Sequence, residues 1–127
     1  MKIIIFIIFS FTAYFINAHE LEISDSNLLD QTTIEIINER MKKMSIINKL
    51  SQQIYKQLNL EDFKKIKDNT IELKNTAIDF RQLFPENSNG GKAKELIWED
   101  KVLFEEYIDN FINDIDLMIN NINEKNT

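Results

Sequence analysis

The sequence predicts an all-α fold, an up-and-down antiparallel bundle of long helices. The 127 residues contain only two glycines and one proline, so little in the chain would interrupt a helix. Gly90, Gly91 and Pro85 fall in one short stretch, and apolar residues recur every three or four positions on either side of it. Long helices joined by short links pack as antiparallel neighbours in a bundle.

The first helix is predicted to begin near residues 26–30, where Ser26, Asn27 and Asp30 can act as N-caps. It should end near Leu58. Its apolar positions follow one another mostly in steps of three and four, so one stripe of the helix faces a core. These positions are Ile36, Ile37, Met41, Met44, Ile47, Leu50, Ile54 and Leu58.

The second helix has a capping signal at Asn59 or Asp62. Its apolar seam alternates steps of three and four, as in a heptad pattern. The seam consists of Phe63, Ile66, Thr70, Leu73, Ala77, Phe80 and Phe84. We expect Pro85 to end this helix, because the residue before a proline is pushed out of the helical region.

The third helix is predicted to begin close to Ala93, after a polar loop at residues 86–92, and to continue unbroken to Ile122. Its seam consists of Phe104, Ile108, Phe111, Ile115, Met118 and Ile122. Four further residues, Leu103, Tyr107, Ile112 and Ile119, widen the stripe. This stripe offers more apolar surface than two neighbouring helices would cover.

The N-terminal residues have the pattern of a secretory signal peptide. Lys2 gives a positive start, residues 3–16 are almost wholly apolar, and Ala18 is a small residue at a cleavage point. We therefore predict a signal peptide at residues 1–18, a single helical-bundle domain at residues 19–127, and a periplasmic location. The alternative is a retained membrane anchor, although the apolar run is shorter than the roughly 20 residues that a span needs.

Charge and cysteine usage exclude several classes of partner. Removing Lys2 leaves 14 basic and 21 acidic side chains, a net charge of −7. Such an acidic chain is a poor ligand for nucleic acid and for anionic membranes, so neither is expected as a partner, and no stable membrane association is expected after cleavage. Without a cysteine, the exported domain has no disulfide framework and relies on packing.

The chain contains few of the side chains that commonly act in catalysis. The single histidine is His19 and there is no cysteine, so a nucleophile paired with a general base is nearly excluded and no enzyme is predicted. His19 would become the new N-terminus and could chelate copper or nickel, but one such group is a weak site, and a flexible tail is the favoured interpretation. The acidic pairs along the chain are best explained as solvated helix faces.

A block of residues between positions 83 and 104 carries a family resemblance. It consists of Leu83, Phe84, Pro85, Gly90, Ala93, Ile97, Trp98 and Phe104. The block resembles the cytochrome c′ family, in which a helix ends at a Phe-Pro corner and a glycine-containing loop follows. The next helix opens with Ala and then Ile-Trp, with a Phe six residues after the Trp. The resemblance covers residues 28–123.

The first helix adds two positions to this resemblance. In low-spin family members a methionine at the position of Met44 is the sixth iron ligand, and an arginine like Arg40 lies near the haem propionates. The resemblance thus implies Arg40 and Met44 as haem-pocket positions. The favoured alternatives are an ordinary core methionine and an arginine that forms an ion pair at the rim with an acid from another helix, because no proximal imidazole is present.

The chain departs from the family at the haem-attachment site. In the family a fourth helix carries Cys-x-x-Cys-His, and neither that helix nor that motif is found here. The prediction is therefore three long helices of a cytochrome c′-like four-helix bundle with the fourth missing. Haem c is the cofactor of the resembling family, but no cofactor is expected in this chain.

The predicted function follows from the contrast between the family resemblance and the missing haem-attachment motif. We expect a periplasmic, haem-free protein with a structural or protein-binding role, whose uncovered apolar stripe associates in a homodimer or with a helix-donating protein partner. The alternative is a haem-binding electron-transfer cytochrome, which requires noncovalent haem or a gene model that is truncated before the attachment site.

Overall fold

The computed structural model describes residues 31–125, and their regular structure is entirely helical. The elements are α1 (Gln31–Leu58), α2 (Phe63–Arg81), α3 (Leu96–Glu99) and α4 (Lys101–Lys125). The all-α prediction is therefore confirmed. The predicted signal peptide, His19 and the predicted start of the first helix lie outside the described residues. None of these helices is both long enough and apolar enough to cross a membrane.

The link between α1 and α2 is a tight turn that ends in an N-cap. Helix α1 ends at Leu58, as predicted, and Glu61 in the turn has a positive φ of 53°. The Asp62 side chain then accepts a hydrogen bond from the backbone N–H of Lys65 at 3.2 Å. Hydrogen bonds from the Lys65 side chain and backbone hold the pKa of the Asp62 carboxyl below its usual value. This is the N-cap that the sequence predicts.

Polar contacts between the long helices define their antiparallel arrangement. Lys43 of α1 pairs with Asp79 of α2 at 2.8 Å. Helix α2 reaches α4 through Lys74, which bonds to Asp116, and through Arg81. Arg81 bridges to two carboxylates of α4, those of Glu105 and Asp109. Helix α2 is thus the central element, against which both α1 and α4 pack.

The core lies along the predicted seams of all three long helices. Its members, each at most 9% exposed, are Met44, Ile47, Leu50, Ile54, Ile66, Leu73, Ala77, Phe80, Phe84, Ile97, Phe104, Ile108, Phe111, Ile115, Met118 and Ile122. One predicted seam residue is misplaced, because Met41 is 45% exposed. The chain therefore buries its heptad positions as the periodicity requires.

Helix α2 ends earlier than predicted. Its last residue is Arg81, several residues before Pro85. Phe84 leaves the helix and turns into the core, where its ring lies 5.0 Å from that of Phe80 and 4.6 Å from that of Phe104 in edge-on contacts. The last predicted turn of α2 is therefore not formed, and aromatic packing in the core stabilises the corner at Phe84.

The predicted unbroken third helix is wrong. Residues 91–95 are turns and irregular backbone, α3 is a single turn, and Asp100 separates it from α4 with φ −129° and ψ 70°. The Asp100 carboxylate accepts a hydrogen bond from the backbone N–H of Leu103 at 3.1 Å. An aspartate that caps a new helix in this way competes with continuation of the preceding one.

The Asp100 cap gives a testable effect on stability. We expect Asp100→Ala to lower the free energy of unfolding by about 1 kcal/mol, because the Leu103 N–H loses its side-chain acceptor. Asp100→Asn keeps an acceptor oxygen and should retain most of the stability. Urea denaturation followed by far-UV circular dichroism measures both variants. A stabilised Asp100→Ala protein would show that the break does not depend on the cap.

Candidate functional site

Arg40 is a buried cation in the third turn of α1. Its side chain is 3% exposed and points into the loop that follows α2. The guanidinium donates hydrogen bonds to three backbone carbonyl oxygens of this loop, those of Leu83 at 3.2 Å, Ser88 at 2.8 Å and Gly90 at 3.3 Å. One side chain therefore holds together loop positions that are seven residues apart in the sequence.

Two aromatic rings complete the surroundings of the guanidinium. Its central carbon lies 4.9 Å from the ring centroid of Phe84 and 5.1 Å from that of Trp98. At these distances a cation is attracted by the electron-rich ring faces. The two rings also contact each other, with centroids 5.9 Å apart. We call Arg40, Phe84, Trp98 and the loop at residues 83–91 the arginine cluster.

Arg40 has no carboxylate partner among the described residues. The expected ion pair at the rim of the bundle is therefore wrong. Burial lowers the pKa of the Arg40 guanidinium to about 10, because a desolvated cation is disfavoured. The group still carries its charge at neutral pH. Carbonyl dipoles and ring faces take the place of a counter-ion here.

The other donors near the corner also bond to backbone carbonyls. The Trp98 indole N–H donates to the carbonyl of Pro85 at 3.0 Å, and the Ser88 hydroxyl donates to the same oxygen at 2.8 Å. The Lys101 ammonium donates to the carbonyl of Phe84 at 3.2 Å. Side-chain donors from α1, α3 and α4 thus bond to backbone carbonyls of this loop and hold it against the end of the bundle.

The two glycines bring the loop backbone directly onto α1. Gly90 has φ +131° and Gly91 has φ +66°, both in the region that residues with a Cβ rarely adopt. A Cβ at Gly90 would lie 3.0 Å from Cδ1 of Ile37, and one at Gly91 would lie 2.8 Å from Cγ2 of the same residue. Glycine is required here both for the backbone conformation and for the close approach.

Met44 lies one turn beyond Arg40 on the same helix. It is 9% exposed and belongs to the apolar core. The structure therefore places the two sequence-predicted site residues next to each other, with Arg40 in the arginine cluster and Met44 below it among core side chains. Their assignment as haem-pocket positions stays a prediction.

Sequence reasoning missed the partners of Arg40. Ser88 is 1% exposed, yet a serine inside a polar loop gave no sign of burial. One signal was present, since α1 offers no acid three or four residues from Arg40. An arginine without a helical ion-pair partner, followed in the chain by an aromatic corner and two glycines, is consistent with a buried guanidinium that bonds to backbone.

The donor set does not fit a haem iron site. The described residues contain no cysteine or histidine, and they contain no group of three histidine, cysteine, aspartate or glutamate side chains that could hold a metal ion. The Met44 thioether would be the sole iron donor of the predicted pair. Iron in haem proteins needs a proximal ligand such as imidazole or thiolate, and neither is present here.

Comparison with known proteins gives one match. The model of the family described as Cytochrome C′ matches residues 35–127, a range that includes the whole arginine cluster, α2, α4 and all but the first four residues of α1. No curated protein and no solved structure matches the chain.

Removal of the Arg40 charge should destabilise the fold. We expect Arg40→Met to lower the free energy of unfolding by about 2–4 kcal/mol, because three loop carbonyls lose their donor. The matched control is Lys43→Met on the same helix, which removes an exposed ion pair and should cost less than about 1 kcal/mol. Chemical denaturation measures both. An Arg40→Met protein as stable as the parent would contradict the role of the guanidinium.

The close approach at Gly91 can be tested with a double-mutant cycle. Gly91→Ala should lower the free energy of unfolding by at least about 1 kcal/mol, since it adds a strained φ and a clash with Ile37. In an Ile37→Ala background the clash is absent and the added cost should be smaller. Equal costs in the two backgrounds would show that the loop does not rest on Ile37.

Proposed function

The chain belongs to the cytochrome c′ family, and we propose that it is a haem-free member with a structural or protein-binding role in the periplasm. The observation that carries this proposal is the arginine cluster. The guanidinium of Arg40 is bonded to three carbonyls of its own loop, and no thiol or imidazole accompanies it among the described residues.

Covalent haem attachment is impossible on these 127 residues. A c-type haem needs two cysteine thiols for its thioether bonds and a histidine for the iron. The sequence contains no cysteine, and His19 is its only histidine. The family scaffold is therefore present without the groups that hold the family cofactor.

The engagement of Arg40 argues against a propionate partner. Three of the five N–H donors of the guanidinium already bond to the carbonyls of Leu83, Ser88 and Gly90, and the side chain is 3% exposed. A propionate would therefore have to enter this buried cluster, and each carbonyl displaced on the way would cost about 1–3 kcal/mol. The present arrangement satisfies both the arginine and the loop without any ligand, which supports a structural role for this residue.

Exposed apolar side chains support a protein-binding role. Val102 is 81% exposed, Leu60 75%, Leu117 59% and Tyr55 56%. Tyr55, Val102 and Leu117 lie on helix faces and Leu60 lies in the turn after α1. Exposed apolar side chains of this size offer contacts to another protein. A periplasmic location is supported by family membership together with the predicted signal peptide at residues 1–18. A non-enzymatic role is supported by the composition, because the chain has no cysteine and His19 is its only histidine.

A haem electron carrier is the second candidate. Family membership favours it, and so does the placement of Arg40 and Met44 one turn apart on the same helix. It requires either noncovalent haem bound by Met44 and a non-histidine ligand, or an attachment site encoded beyond Thr127.

Haem content decides between the two candidates. The full coding sequence is expressed in a Gram-negative host that has the c-type cytochrome maturation system and a supply of haem. We expect colourless protein without a haem-stained band or a Soret absorption, because the chain has no thiol and its described residues have no imidazole. A cytochrome c′ that carries Cys-x-x-Cys-His, expressed in parallel, confirms that maturation works.

A stoichiometric Soret band would overturn the haem-free proposal. In that case Met44→Leu identifies the ligand, since a shifted Soret maximum in this variant would show that the Met44 sulfur binds the iron. Ile47→Leu, a change of similar size at a neighbouring core position, is the control for effects of packing alone.

A further inference from the structure

The loop between α2 and α3 contains an asparagine that is followed directly by a glycine. This pair, Asn89 and Gly90, is the only one of its kind in the sequence. Asn89 is exposed, and both residues lie in irregular backbone outside the helices. The side-chain amide carbon of an asparagine can be reached by the backbone nitrogen of the next residue, and a glycine has no Cβ to obstruct that approach. The pair therefore has the chemistry of an intramolecular cyclisation site.

The backbone N–H of Gly90 takes no part in the hydrogen bonds that hold the loop. It donates to no acceptor among residues 31–125, whereas the Gly90 carbonyl accepts a bond from Arg40 at 3.3 Å. An N–H that is already bonded would be held in place by its acceptor. The Gly90 nitrogen has no such restraint, so it can turn towards the neighbouring amide carbon.

Asn87, two residues earlier in the same loop, lacks these conditions. It is exposed like Asn89, but the residue after it is Ser88, which has a Cβ and is 1% exposed. The backbone N–H of Ser88 donates to the carbonyl of Pro85 at 3.3 Å. The loop therefore contains two exposed asparagines, of which only Asn89 precedes an unrestrained nitrogen.

Arg40 holds the peptide groups on both sides of Asn89. Its Nη2 atom donates to the carbonyl of Ser88 at 2.8 Å and to that of Gly90 at 3.3 Å. Cyclisation requires rotation of the Asn89 backbone, and this rotation moves the two carbonyls relative to each other. The guanidinium therefore resists the rotation, although it does not bond to the reacting nitrogen.

We propose that Asn89 is a site of spontaneous deamidation and that Arg40 sets its rate. The Gly90 nitrogen attacks Cγ of Asn89, the N–H proton passes to the departing amide nitrogen, and ammonia leaves as a five-membered succinimide ring closes. One water molecule then opens the ring. The net change replaces the side-chain amide by a carboxyl group and releases one ammonia, so neither an oxidant nor a reductant is needed. This modification goes beyond the structural role proposed above and does not depend on it.

The two directions of ring opening give products that affect the loop differently. Cleavage at Cγ leaves the main chain unchanged and places an aspartate at position 89. Cleavage at the former backbone carbonyl gives isoaspartate, whose main chain contains one additional methylene group. Gly90 has little room to move, since a Cβ there would lie 3.0 Å from Cδ1 of Ile37. The isoaspartate product therefore loses the bond between Arg40 and the Gly90 carbonyl, which loosens the arginine cluster.

Peptide mapping tests the position of the modification. Protein purified from the full coding sequence is incubated at mildly alkaline pH in water enriched in heavy oxygen, so that only deamidation before digestion carries the label. Trypsin cuts after Arg81 and Lys92 and releases residues 82–92, which contain both asparagines. We expect the label at position 89 and none at position 87. A synthetic peptide of residues 82–92, which has no contact with Arg40, should react faster than the folded protein.

Arg40→Lys tests the control of the rate. The lysine keeps the charge, but it lacks the planar fork that bonds to several carbonyls at once. Asn89 should then deamidate about tenfold faster, because the loss of a charge-assisted hydrogen bond favours local opening of the loop by about this factor. Urea-unfolded parent and variant should react at the same rate, which attributes the difference to the folded loop.

Leu73→Ala is the control for a general loss of stability. This residue lies in the core on α2, and its truncation destabilises the fold without touching the loop. The rate at Asn89 should remain within about twofold of the parent rate, since local opening does not require global unfolding. Circular dichroism checks that the protein is folded, and Ile66→Val is the milder core variant to use if Leu73→Ala is not.

Trp98 reports the effect of the product on the corner. It is the single tryptophan of the chain, and its indole N–H bonds to the carbonyl of Pro85 at 3.0 Å. Ion-exchange chromatography separates the modified protein by its added negative charge. We expect the isoaspartate form to show a shifted Trp98 emission, whereas Asn89→Asp, which keeps the normal backbone, should retain the parent emission.

Three results would overturn the proposal. Equal labelling at positions 87 and 89 would show that the free Gly90 nitrogen does not select the site. Equal rates in the parent and in Arg40→Lys would remove Arg40 from the control of the reaction. An unlabelled position 89 in the folded parent, after many half-lives of the synthetic peptide, would show that the native loop does not react. None of these measurements involves haem, so they are independent of the Soret test.

Discussion

The burial of an arginine that has no counter-ion in residues 31–125 is the constraint around which one end of this protein is built. A cation that leaves water must find compensating donor–acceptor contacts, and Arg40 finds them in three loop carbonyls and two aromatic rings. The loop in turn needs glycine at positions 90 and 91 to reach the guanidinium over Ile37. The corner at Phe84 and the placement of Trp98 depend on the same contacts.

The chain has the fold of its family, but the contacts of Arg40 differ from those that the family resemblance implies. The family match covers the helices and the corner that surround Arg40, so the scaffold is that of a haem protein. Yet the guanidinium, which the resemblance places near haem propionates, is here satisfied by backbone carbonyls, and the Met44 sulfur lies among core side chains. A scaffold whose polar groups are already paired can keep its fold without the cofactor, because every buried side-chain nitrogen and oxygen atom of the described residues has a hydrogen-bond partner.

The parts of the structure that depend on hydrophobic periodicity could be predicted from the sequence, and the parts that depend on single polar side chains could not. The seam from Phe104 to Ile122 is buried as its spacing requires. The break at Asp100 escaped notice because an aspartate is compatible both with an exposed helical position and with an N-cap. The partners of Arg40 could not be predicted, because every residue has a backbone carbonyl and the sequence does not show which of them accept a hydrogen bond.

The distribution of charge on the three long helices follows from which pairs the bundle already uses. Arg81 takes the carboxylates of Glu105 and Asp109, and Lys43 takes that of Asp79, so the inner flanks of the helices are neutralised. With Arg40 buried, α1 keeps three lysines and two glutamates outside these pairs, a net charge of +1. With Asp116 paired to Lys74, α4 keeps two lysines and three acids, a net charge of −1, so little net charge is left on either outer helix.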